Sequence, residues 1–369
     1  MKHTAIGLMS GTSLDGTDLA YCIFEKVNST WDFKIIKTQT LPYSSTWESK
    51  LRNAPDMSGQ ELIKTHVEYG HYLGKLICNF IKESRLKTPD LVASHGHTVY
   101  HQPENGFTFQ MGDGSSIAAE TKCTVVCDFR SLNVASGGQG APLVPIGDEL
   151  LFEKYDYCLN LGGFANISYK ISGKRIAFDI CPVNFVINTL VKNRNKEAQK
   201  ILSNDYGNKT ATFDPDGKIA SNGKVSVKLV EELNKLNYYK QKPPKSLGAE
   251  WVTKNILPII NKYNHLPLED ILRSFYEHIT YQVKNITANN NKKSILITGG
   301  GAYNKFLIKL FENNLNIKLC IPDNNIIEYK EALIFAFLGV LRINKMPNIL
   351  KSASGGHINN ISGGIYEGK

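Results

Sequence analysis

The amino-acid sequence predicts an α/β protein with two lobes, each built on a mixed sheet flanked by helices. Its 369 residues favour two hydrophobic cores over one. Strand-like and helix-like segments follow each other in the same order twice along the chain. Each of the two series starts with a strand that ends in a glycine turn, and we expect these turns to face each other across a cleft between the lobes.

The first series comprises three strands, a long helix and two further strands. The strands are predicted from short apolar runs that are rich in β-branched and aromatic residues. The helix is predicted because Leu73, Ile77 and Phe80 fall on one face. In chain order these elements are residues 4–9, 18–27, 31–40, 60–84, 91–94 and 123–128.

The second series repeats that order without repeating the sequence. Its strands and helices are predicted at residues 155–161, 166–171, 175–180, 184–192, 268–285, 294–298 and 317–321. Residues 134–145 are rich in glycine and proline and predict the division between the lobes. We therefore assign residues 1–134 to the first lobe and 135–351 to the second, and expect the C-terminal segment 352–369 to rejoin the first lobe.

Composition argues against several classes of protein. A hydrophobic fraction of 42% with 17 tyrosines is typical of a folded globular chain, because disordered chains lack this much apolar material. The net charge of +9 comes from lysines scattered along the chain. A solvated surface that helps to attract a small anionic ligand is therefore favoured over nucleic-acid binding.

The cysteines and the N-terminus indicate the compartment. Seven cysteines, an odd number, lie mostly in apolar runs, which favours buried thiols in a reducing cytosol. Cys123 and Cys127 have no second pair of ligands nearby, so a zinc site is not favoured. The N-terminus lacks the apolar region of a signal peptide, and no run of about eighteen apolar residues occurs. We expect a soluble, cytoplasmic protein.

The first glycine turn, within residues 7–18, reads G-L-M-S-G-T-S-L-D-G-T-D and joins two predicted strands. Gly11 and Gly16 allow backbone conformations in which successive N–H groups converge on an anion. Thr12 and Ser13 add hydroxyl donors. A solvated hairpin turn is the alternative, so this segment alone favours phosphate binding only modestly.

Two further glycine turns follow. Gly162-Gly163 lies at the corresponding place in the second series, and residues 299–301, three glycines, lie between an apolar strand and a helix that starts at about Lys305. The third turn lacks the G-x-G-x-x-G spacing and the acidic residue of dinucleotide-binding folds. Three glycines would let the backbone lie flat against a ring or a ribose, and a helix C-cap or tight turn is the alternative.

Together the three turns resemble the phosphate-1, phosphate-2 and adenosine elements of the actin, Hsp70 and sugar-kinase superfamily. The resemblance implies its two-lobed actin-like ATPase (ribonuclease H-like) fold. The motifs GLMSGTSLDGTD, SHGHTVYH, DFRSLNVASGGQGAPLVP, LNLGGFANIS, PPKSLG and ITGGGAYN follow one another in the order seen in anhydro-N-acetylmuramic acid kinases. The sequence resembles that family from Gly7 to Tyr366, and the first loop and the GGQGAPLVP run are quite specific to it.

This resemblance implies ATP as the phosphoryl donor and Mg²⁺ as its metal. Asp15 and Asp18 are the candidate Mg²⁺ ligands, directly or through water, because their carboxylates are suitable oxygen donors. The residues expected to bind ATP are Gly11, Thr12, Ser13, Leu14, Asp15, Gly16, Thr17, Asp18, Gly162, Gly163, Asn166, Gly299, Gly300, Gly301 and Asn304.

Asp179 is the candidate catalytic base, because it lies at the end of a predicted strand close to a glycine turn. The alternative from the residues alone is a helix N-cap, since Pro182 follows closely. The family's catalytic aspartate matches Asp179. The family motif usually reads Asp-Thr-Gly-Pro-Gly-Asn, whereas this chain reads Asp-Ile-Cys-Pro-Val-Asn over residues 179–184. The replaced residues bear on the sugar contacts and on the identity of the sugar.

The resemblance also implies a sugar-binding set at His95, Gly96, Thr98, Arg130 and Glu331. The guanidinium of the arginine suits the acidic lactyl group of the substrate, because it can bond a carboxylate through two N–H groups; a surface salt bridge with a nearby acid is the alternative. The glutamate is predicted to open a helix over residues 332–341, where it could simply favour the helix N-terminus.

Two further side chains in these motifs have several interpretations. His97 stands where the family usually has glutamine and keeps a similar hydrogen-bonding reach. Together with the histidines at 95 and 101 it suggests a zinc site, but the spacing is not that of a closed site and no acidic or thiolate partner is nearby in sequence. Lys245 is a possible phosphate or sugar contact, although a loop lysine is usually solvated.

The family reaction opens the 1,6-anhydro ring of N-acetylmuramic acid with water and phosphorylates O6, giving N-acetylmuramic acid 6-phosphate for cell-wall recycling. The resemblance therefore implies a sugar and a nucleotide as small-molecule partners, with neither nucleic acid nor membrane; a homodimer is compatible with it. A kinase acting on another sugar and a non-catalytic nucleotide-binding regulator on the same scaffold remain as alternatives, and a dehydrogenase is a distant one.

Overall fold

The computed structural model describes residues 1–11, 14–193, 212–288 and 292–368. The chain forms two compact units. The first comprises Met1–Glu153 and Tyr329–Lys369, and the second comprises Lys154–Glu328. The sequence-based division at 134/135 and 351/352 therefore differs from the units of the structure, in which residues 135–153 and 329–351 belong to the first unit.

The first unit is built on a six-stranded mixed sheet with the order β13-β7-β4-β1-β2-β3. Strands β1, β2 and β3 form an antiparallel meander, β4 and β7 continue parallel to β1, and β13 pairs antiparallel with β7. A separate antiparallel hairpin consists of β5 and β6. The bounds are β1 Lys2–Ser10, β2 Thr17–Val27, β3 Thr30–Leu41, β4 Leu91–Ser94, β5 His97–Gln102, β6 Phe107–Met111, β7 Thr124–Cys127 and β13 Gly364–Tyr366.

Helices pack on this sheet through apolar faces. The longest is Gly59–Glu83, which Ser58 caps by accepting a hydrogen bond from the backbone N–H of Glu61, and which buries Tyr69, Leu73, Ile77 and Phe80. The α-helices of the first unit are Ser45–Asn53, Gly59–Glu83, Gly114–Thr121, Ser131–Ala135, Pro145–Leu150 and Lys351–Ser354, together with most of Asn324–Ile343, in which Tyr329 has non-helical backbone angles.

Close packing explains why the helix Asn324–Ile343 belongs largely to the first unit. A Cβ atom at Gly7 would overlap the backbone of Ala332, so the helix lies directly on β1. The same helix carries Lys330, whose ammonium lies 2.6 Å from the carboxylate of Asp148, with both side chains buried. These contacts link segments far apart in sequence, which a local composition break cannot reveal.

The second unit is built on a five-stranded mixed sheet with the order β10-β9-β8-β11-β12. Strands β8, β9 and β10 are antiparallel, and β11 and β12 continue parallel to β8. The bounds are β8 Tyr157–Leu161, β9 Phe164–Ile171, β10 Lys174–Pro182, β11 Ser294–Thr298 and β12 Lys318–Cys320.

The helices of the second unit surround one apolar core. They are Asn184–Asn193, Lys218–Ser221, Val227–Asn234, Ala249–Trp251, Leu257–Asn261, Leu268–Thr287 and Lys305–Asn314, with a π-helical turn at Val252–Ile256. Residues 203–211 lie outside the described residues. Residues 212–224 belong to this unit, because Ile219 and Ala220 are fully buried in its core.

The two sheets share one topology. In each sheet, three strands form an antiparallel meander, and two further strands lie parallel to the first of them, giving the strand order 3-2-1-4-5. The first sheet adds β13 next to β7. The predicted α/β class with mixed sheets flanked by helices is confirmed, and the repeat of element order predicted from the sequence is a repeat of strand order. No disulfide is present among the described residues, which include all seven cysteines. None of the helices described is both long and apolar enough to cross a bilayer.

Candidate active site

The loop between β1 and β2 is the candidate phosphate loop of the first unit. Thr12 and Ser13 lie outside the described residues. Leu14 has a left-handed backbone (φ 60°), which is costly for a leucine, yet its side chain is buried in the core of the unit. A Cβ atom at Gly16 would overlap the carbonyl of Leu41. Packing therefore holds Leu14 and Gly16 in place.

Four hydroxyl groups form a cluster at the start of β2. The hydroxyl of Thr17 lies 2.8 Å from that of Tyr43 and 3.2 Å from that of Ser10, and Tyr69 lies 2.7 Å from Ser10. The side chain of Thr17 is fully buried. Its predicted contact with ATP is therefore not supported for the side chain, because the hydroxyl is directed into the protein and bonded there.

The two predicted metal ligands have different surroundings. Asp15 is exposed, whereas Asp18 accepts a hydrogen bond from the hydroxyl of Thr40 at 2.6 Å, and that hydroxyl also lies 3.0 Å from the hydroxyl of Tyr329. Among the described residues no group of three or more histidine, cysteine or acidic side chains is arranged to hold a metal ion. Asp18 is thus held in a fixed position, and Asp15 faces solvent.

Arg130 and His95, two predicted sugar-binding residues, contact each other directly. Nε and one terminal nitrogen of the guanidinium donate to Nε2 of the imidazole at 3.1 and 2.9 Å, and the other terminal nitrogen donates to the carbonyl of Gly140 at 2.7 Å. Nδ1 of the imidazole lies 2.8 Å from the carbonyl of Gly96. The ring therefore carries its proton on Nδ1 and accepts on Nε2, so both nitrogens are in use and the ring orients the guanidinium.

The pKa shifts of His95 and Arg130 agree with this hydrogen-bonded pair. Burial lowers the pKa of His95 well below its usual value, and the charge of Arg130 lowers it further, so the imidazole is neutral. Burial lowers the pKa of the guanidinium to about 10, an effect that the charge of Glu331 opposes. No ion pair between Arg130 and Asp128 is present in the part of the chain that the structure describes; Asp128 instead accepts from the hydroxyl of Ser131.

The helix Asn324–Ile343 is interrupted at Tyr329, whose backbone angles are not helical, so Glu331 lies two residues after this break, close to the helix start predicted from the sequence. Its side chain keeps solvent contact, yet the protein atoms around it raise its pKa by desolvation. The charges of Arg130 and Lys330 lower this pKa, and that of Asp18 raises it. Two other predicted site residues, Asp18 and Arg130, therefore interact electrostatically with Glu331.

The hairpin that begins at Gly96 completes the first-unit part of the site. Gly96 has φ 73°, and a Cβ atom there would lie 2.6 Å from the carbonyl oxygen of Met111, so no larger residue fits. Thr98 is half-buried on β5. His97 is buried, and its Nδ1 has no hydrogen-bond partner among the described residues. Desolvation lowers the pKa of His97.

In the second unit, strand register aligns three polar residues. Asn160 on β8 is opposite Asn166 on β9, which is opposite Asp179 on β10. Directly opposed residues share one face of a sheet, so these three side chains form a row. Asp179 lies inside β10, five residues before the helix Asn184–Asn193, and is not a helix N-cap. Desolvation raises its pKa.

The residues that distinguish this chain from the usual family motif lie in the core. Ile180, Cys181 and Val183 are buried and belong to the hydrophobic cluster of the second unit. The pairing of β10 with β9 shifts register between Asp179 and Cys181. The replaced residues therefore change the packing beneath the motif, and their side chains are not exposed to a ligand.

The second glycine turn holds the start of the next helix. The carbonyl of Gly163 accepts the backbone N–H groups of Val183 and Phe185 at 2.8 and 3.1 Å, and the carbonyl of Gly162 accepts that of Asn184 at 3.3 Å. The amide side chain of Asn184 donates to the carbonyl of Leu161 at 3.1 Å. The turn and the N-terminal end of this helix thus form one hydrogen-bonded structure.

The third turn lies at a cavity of about 390 Å³ within the second unit. Gly299 and Gly301 pack tightly, since a Cβ atom at either would come within 2.6 Å of Asn160 or Leu161, respectively. At Gly300 a Cβ atom would meet nothing closer than 3.8 Å. The cavity is lined by Asn184, Ile187, Asn188, Phe213, Asp214, Pro215, Asp216, Gly300, Tyr303 and Asn304.

Three polar residues of the cavity already have partners within the protein. Asn304 caps the helix Lys305–Asn314 by accepting from the N–H of Leu307, and its amide nitrogen donates to the hydroxyl of Tyr276, so the side chain is already bonded. Asp214 accepts from the N–H of Ile219 at 2.8 Å. Asp216 lies 3.4 Å from the ammonium of Lys305. Both aspartates line the cavity but were not predicted from the sequence, although the turn D-P-D-G over 214–217 is a recognisable signal.

The family can now be identified from comparisons. The family model for anhydro-N-acetylmuramic acid kinase matches residues 3–368. The anhydro-N-acetylmuramic acid kinase of Francisella tularensis subsp. novicida (strain U112) is 36% identical over 377 residues, covering 95% of each chain. That of Sulfurimonas denitrificans (strain ATCC 33889 / DSM 1251) is 31% identical over 392 residues, covering 100% of each chain. The chain belongs to this family.

Membership of the anhydro-N-acetylmuramic acid kinase family confirms the family, the kinase activity and the enzyme class predicted from the motifs. A sugar and a nucleotide are therefore its classes of substrate. Among solved structures, the activator of 2-hydroxyisocaproyl-CoA dehydratase from Clostridium difficile with bound ADPNP aligns with a TM-score of 0.40 and 13% identity, over 93% of this chain and 97% of that one.

Proposed function

We propose that the chain opens the ring of 1,6-anhydro-N-acetylmuramic acid with water and transfers the γ-phosphoryl group of ATP to O6. Asp179 takes a proton from the water, whose oxygen bonds to the anomeric carbon C1. The bond between C1 and O6 breaks, and O6 attacks the γ-phosphorus as ADP leaves. The products are N-acetylmuramic acid 6-phosphate and ADP. The observation that carries this proposal is the desolvated carboxylate of Asp179, whose raised pKa suits a general base.

The decisive experiment supplies the purified protein with ATP and 1,6-anhydro-N-acetylmuramic acid and follows ADP and the phosphorylated sugar. Formation of N-acetylmuramic acid 6-phosphate supports the proposal, and its absence rejects it. A parallel panel of free hexoses tests the alternative of another sugar. The buried positions of Ile180, Cys181 and Val183 do not favour that alternative, because these side chains have no surface to offer a ligand.

The remaining assignments belong to the same proposal. ATP phosphates would bind at the loop that includes Gly11 and Asp18, and the nucleoside at the cavity beside Gly300. Mg²⁺, when bound with ATP, neutralises phosphate charge. Asp18 would hold this ion with Asp15 as the second carboxylate, because both offer oxygen ligands and Asp18 is fixed by its bond from Thr40. The reaction would take place in the cytoplasm and serve the recycling of cell-wall sugars. A homodimer is the assembly we propose to test.

The nucleoside assignment predicts opposite effects for two neighbouring glycines. Gly300→Ala should fold normally, since its Cβ atom has room, and should raise the KM for ATP roughly tenfold by filling ligand space. Gly301→Ala should instead lower the melting temperature, because the new Cβ atom would lie 2.6 Å from that of Leu161. Thermal melts and ATP kinetics of both variants check this; an unchanged KM in Gly300→Ala contradicts the assignment.

The role of Arg130 predicts a selective loss of sugar binding. Arg130→Lys should raise the KM for the anhydrosugar roughly 10- to 100-fold, because an ammonium cannot replace the two parallel N–H groups offered to a carboxylate. The KM for ATP should stay the same. Arg52→Lys is the matched control, since Arg52 forms an exposed pair with Glu48 at 2.7 Å. Equal increases in the KM for the anhydrosugar and the KM for ATP would contradict a role of Arg130 in sugar binding.

A further inference from the structure

The unpaired edge of β10 is covered at Asp179 by one segment of chain. Strand β10 is at the end of its sheet, so one side of its backbone has no neighbouring strand. There the N–H of Asp179 donates to the carbonyl of Lys245 at 3.2 Å, and its carbonyl accepts from the hydroxyl of Tyr238 at 2.7 Å. The segment from Tyr238 to Leu247 thus replaces a strand at this one residue.

The same segment also holds the carboxylate. The N–H of Leu247 donates to Oδ2 of Asp179 at 2.8 Å. No hydrogen bond to Oδ1 is present among the described residues. One oxygen is therefore fixed by the backbone of the segment, and the other is the one able to accept a proton. Burial raises the pKa of this carboxyl, and the bond from Leu247 opposes the rise.

Lys245 connects the two ends of this segment through its side chain. Its ammonium donates to the carbonyl of Tyr238 at 3.1 Å and lies 4.5 Å from the centre of that ring and 5.7 Å from the ring of Phe178. The Tyr238 ring also packs against Trp251, with centroids 5.2 Å apart. The ammonium is thus bonded within the protein, and it forms no ion pair with Asp179 within the described ranges.

We propose that the segment Tyr238–Leu247 is a positioning element for Asp179, with Tyr238 and Lys245 as positioning residues. This inference rests on the proposed function. The segment acts on the base in two ways. It fixes the direction of Oδ1 through bonds to the main chain and to Oδ2, and it excludes water from the carboxylate, which makes that carboxylate a stronger base.

The first test is Tyr238→Phe, which keeps the ring and removes the bond to the carbonyl of Asp179. We expect kcat to fall about tenfold because the base is less well directed. The KM for ATP should not change. The acid limb of the pH–kcat profile should move to lower pH, because a looser segment admits water and so lowers the pKa of Asp179. Lys245→Met keeps the aliphatic stem. It should also lower kcat and move the acid limb to lower pH.

Tyr239→Phe is the matched control. It removes a neighbouring hydroxyl that lies 2.9 Å from Nε2 of His278, and this partly buried bond does not involve Asp179. This variant should melt at a lower temperature and keep the wild-type acid limb. A purely structural role for Tyr238 would instead leave its acid limb in place, and that result would overturn the proposal.

A second readout does not need turnover. The ¹³C shift of the Asp179 carboxyl, assigned by its absence from Asp179→Asn, gives its pKa directly in each variant. A lower pKa in Tyr238→Phe with no change in Tyr239→Phe supports the inference, and an unchanged pKa in Tyr238→Phe rejects it. If the wild-type protein fails to phosphorylate the anhydrosugar, the proposed function is wrong, while this titration still decides the positioning role.

Discussion

Asp179→Asn is expected to lower kcat by about 10³-fold, within the range by which general bases contribute to enzymatic rates. The asparagine still accepts the bond from Leu247 but cannot take a proton from water. Binding of ATP, measured by calorimetry, should be unaffected. Turnover that survives this change contradicts the assignment of the base.

The sign of the pH dependence follows from the raised pKa. The carboxylate is the active form, so kcat should fall as pH is lowered through a pKa that lies above the usual aspartate range. A carboxyl whose folded-state pKa is raised costs stability once pH exceeds its unfolded value. Asp179→Asn should therefore melt at a temperature equal to or above that of the wild type at pH 7.

Asp270→Asn is the control for this variant. Asp270 is in the same unit and likewise accepts one backbone N–H, that of Lys224, at 2.7 Å. It lies outside the proposed site, so its replacement should leave kcat and the acid limb as they are. A comparable loss of activity in both variants would indicate a general effect of removing a carboxylate.

Lys330→Met is expected to lower the free energy of unfolding by about 3–5 kcal/mol, because it leaves a buried carboxylate without its ion-pair partner. The ammonium of Lys330 and the carboxylate of Asp148 are 2.6 Å apart, and both side chains are buried. The methionine keeps the length of the aliphatic stem, so packing against Phe152 is largely retained. Urea unfolding followed by circular dichroism measures the difference.

The double variant Lys330→Met with Asp148→Leu separates charge from packing. Replacing both members of a buried ion pair by apolar side chains is often neutral or stabilising. We expect the double variant to recover most of the stability lost in Lys330→Met. If it is no more stable than the single variant, packing rather than the unpaired charge explains the loss.

Several elements of the site were predictable from local sequence. The strand before the first loop, the three glycine turns and the strand that carries Asp179 all follow from patterns within about ten residues. The open space at Gly300 is consistent with the expected flat turn. His95 and Arg130 were named separately by the resemblance, and the structure joins them through two hydrogen bonds.

Other features depended on partners distant in the chain. Thr17 is indistinguishable in sequence from the exposed hydroxyl donors of a phosphate loop, yet it bonds to Tyr43. The turn that starts at Asp214 lines the cavity, and its neighbours Ile219 and Ala220 enter the core. The surroundings of Glu331 likewise depend on distant residues, because the charges of Arg130 and Asp18 act on its carboxylate.

The sequence by itself determined the family, the repeated order of elements and the identity of the candidate base. These depend on residue types and spacings along the chain, which local backbone preferences and motifs record directly. Only the tertiary structure decided that Ile180, Cys181 and Val183 are core residues. It also decided that Tyr238 and Lys245 form hydrogen bonds with the backbone of Asp179. Burial and hydrogen-bond partners are set by segments that meet only when the chain packs, so no local pattern encodes them.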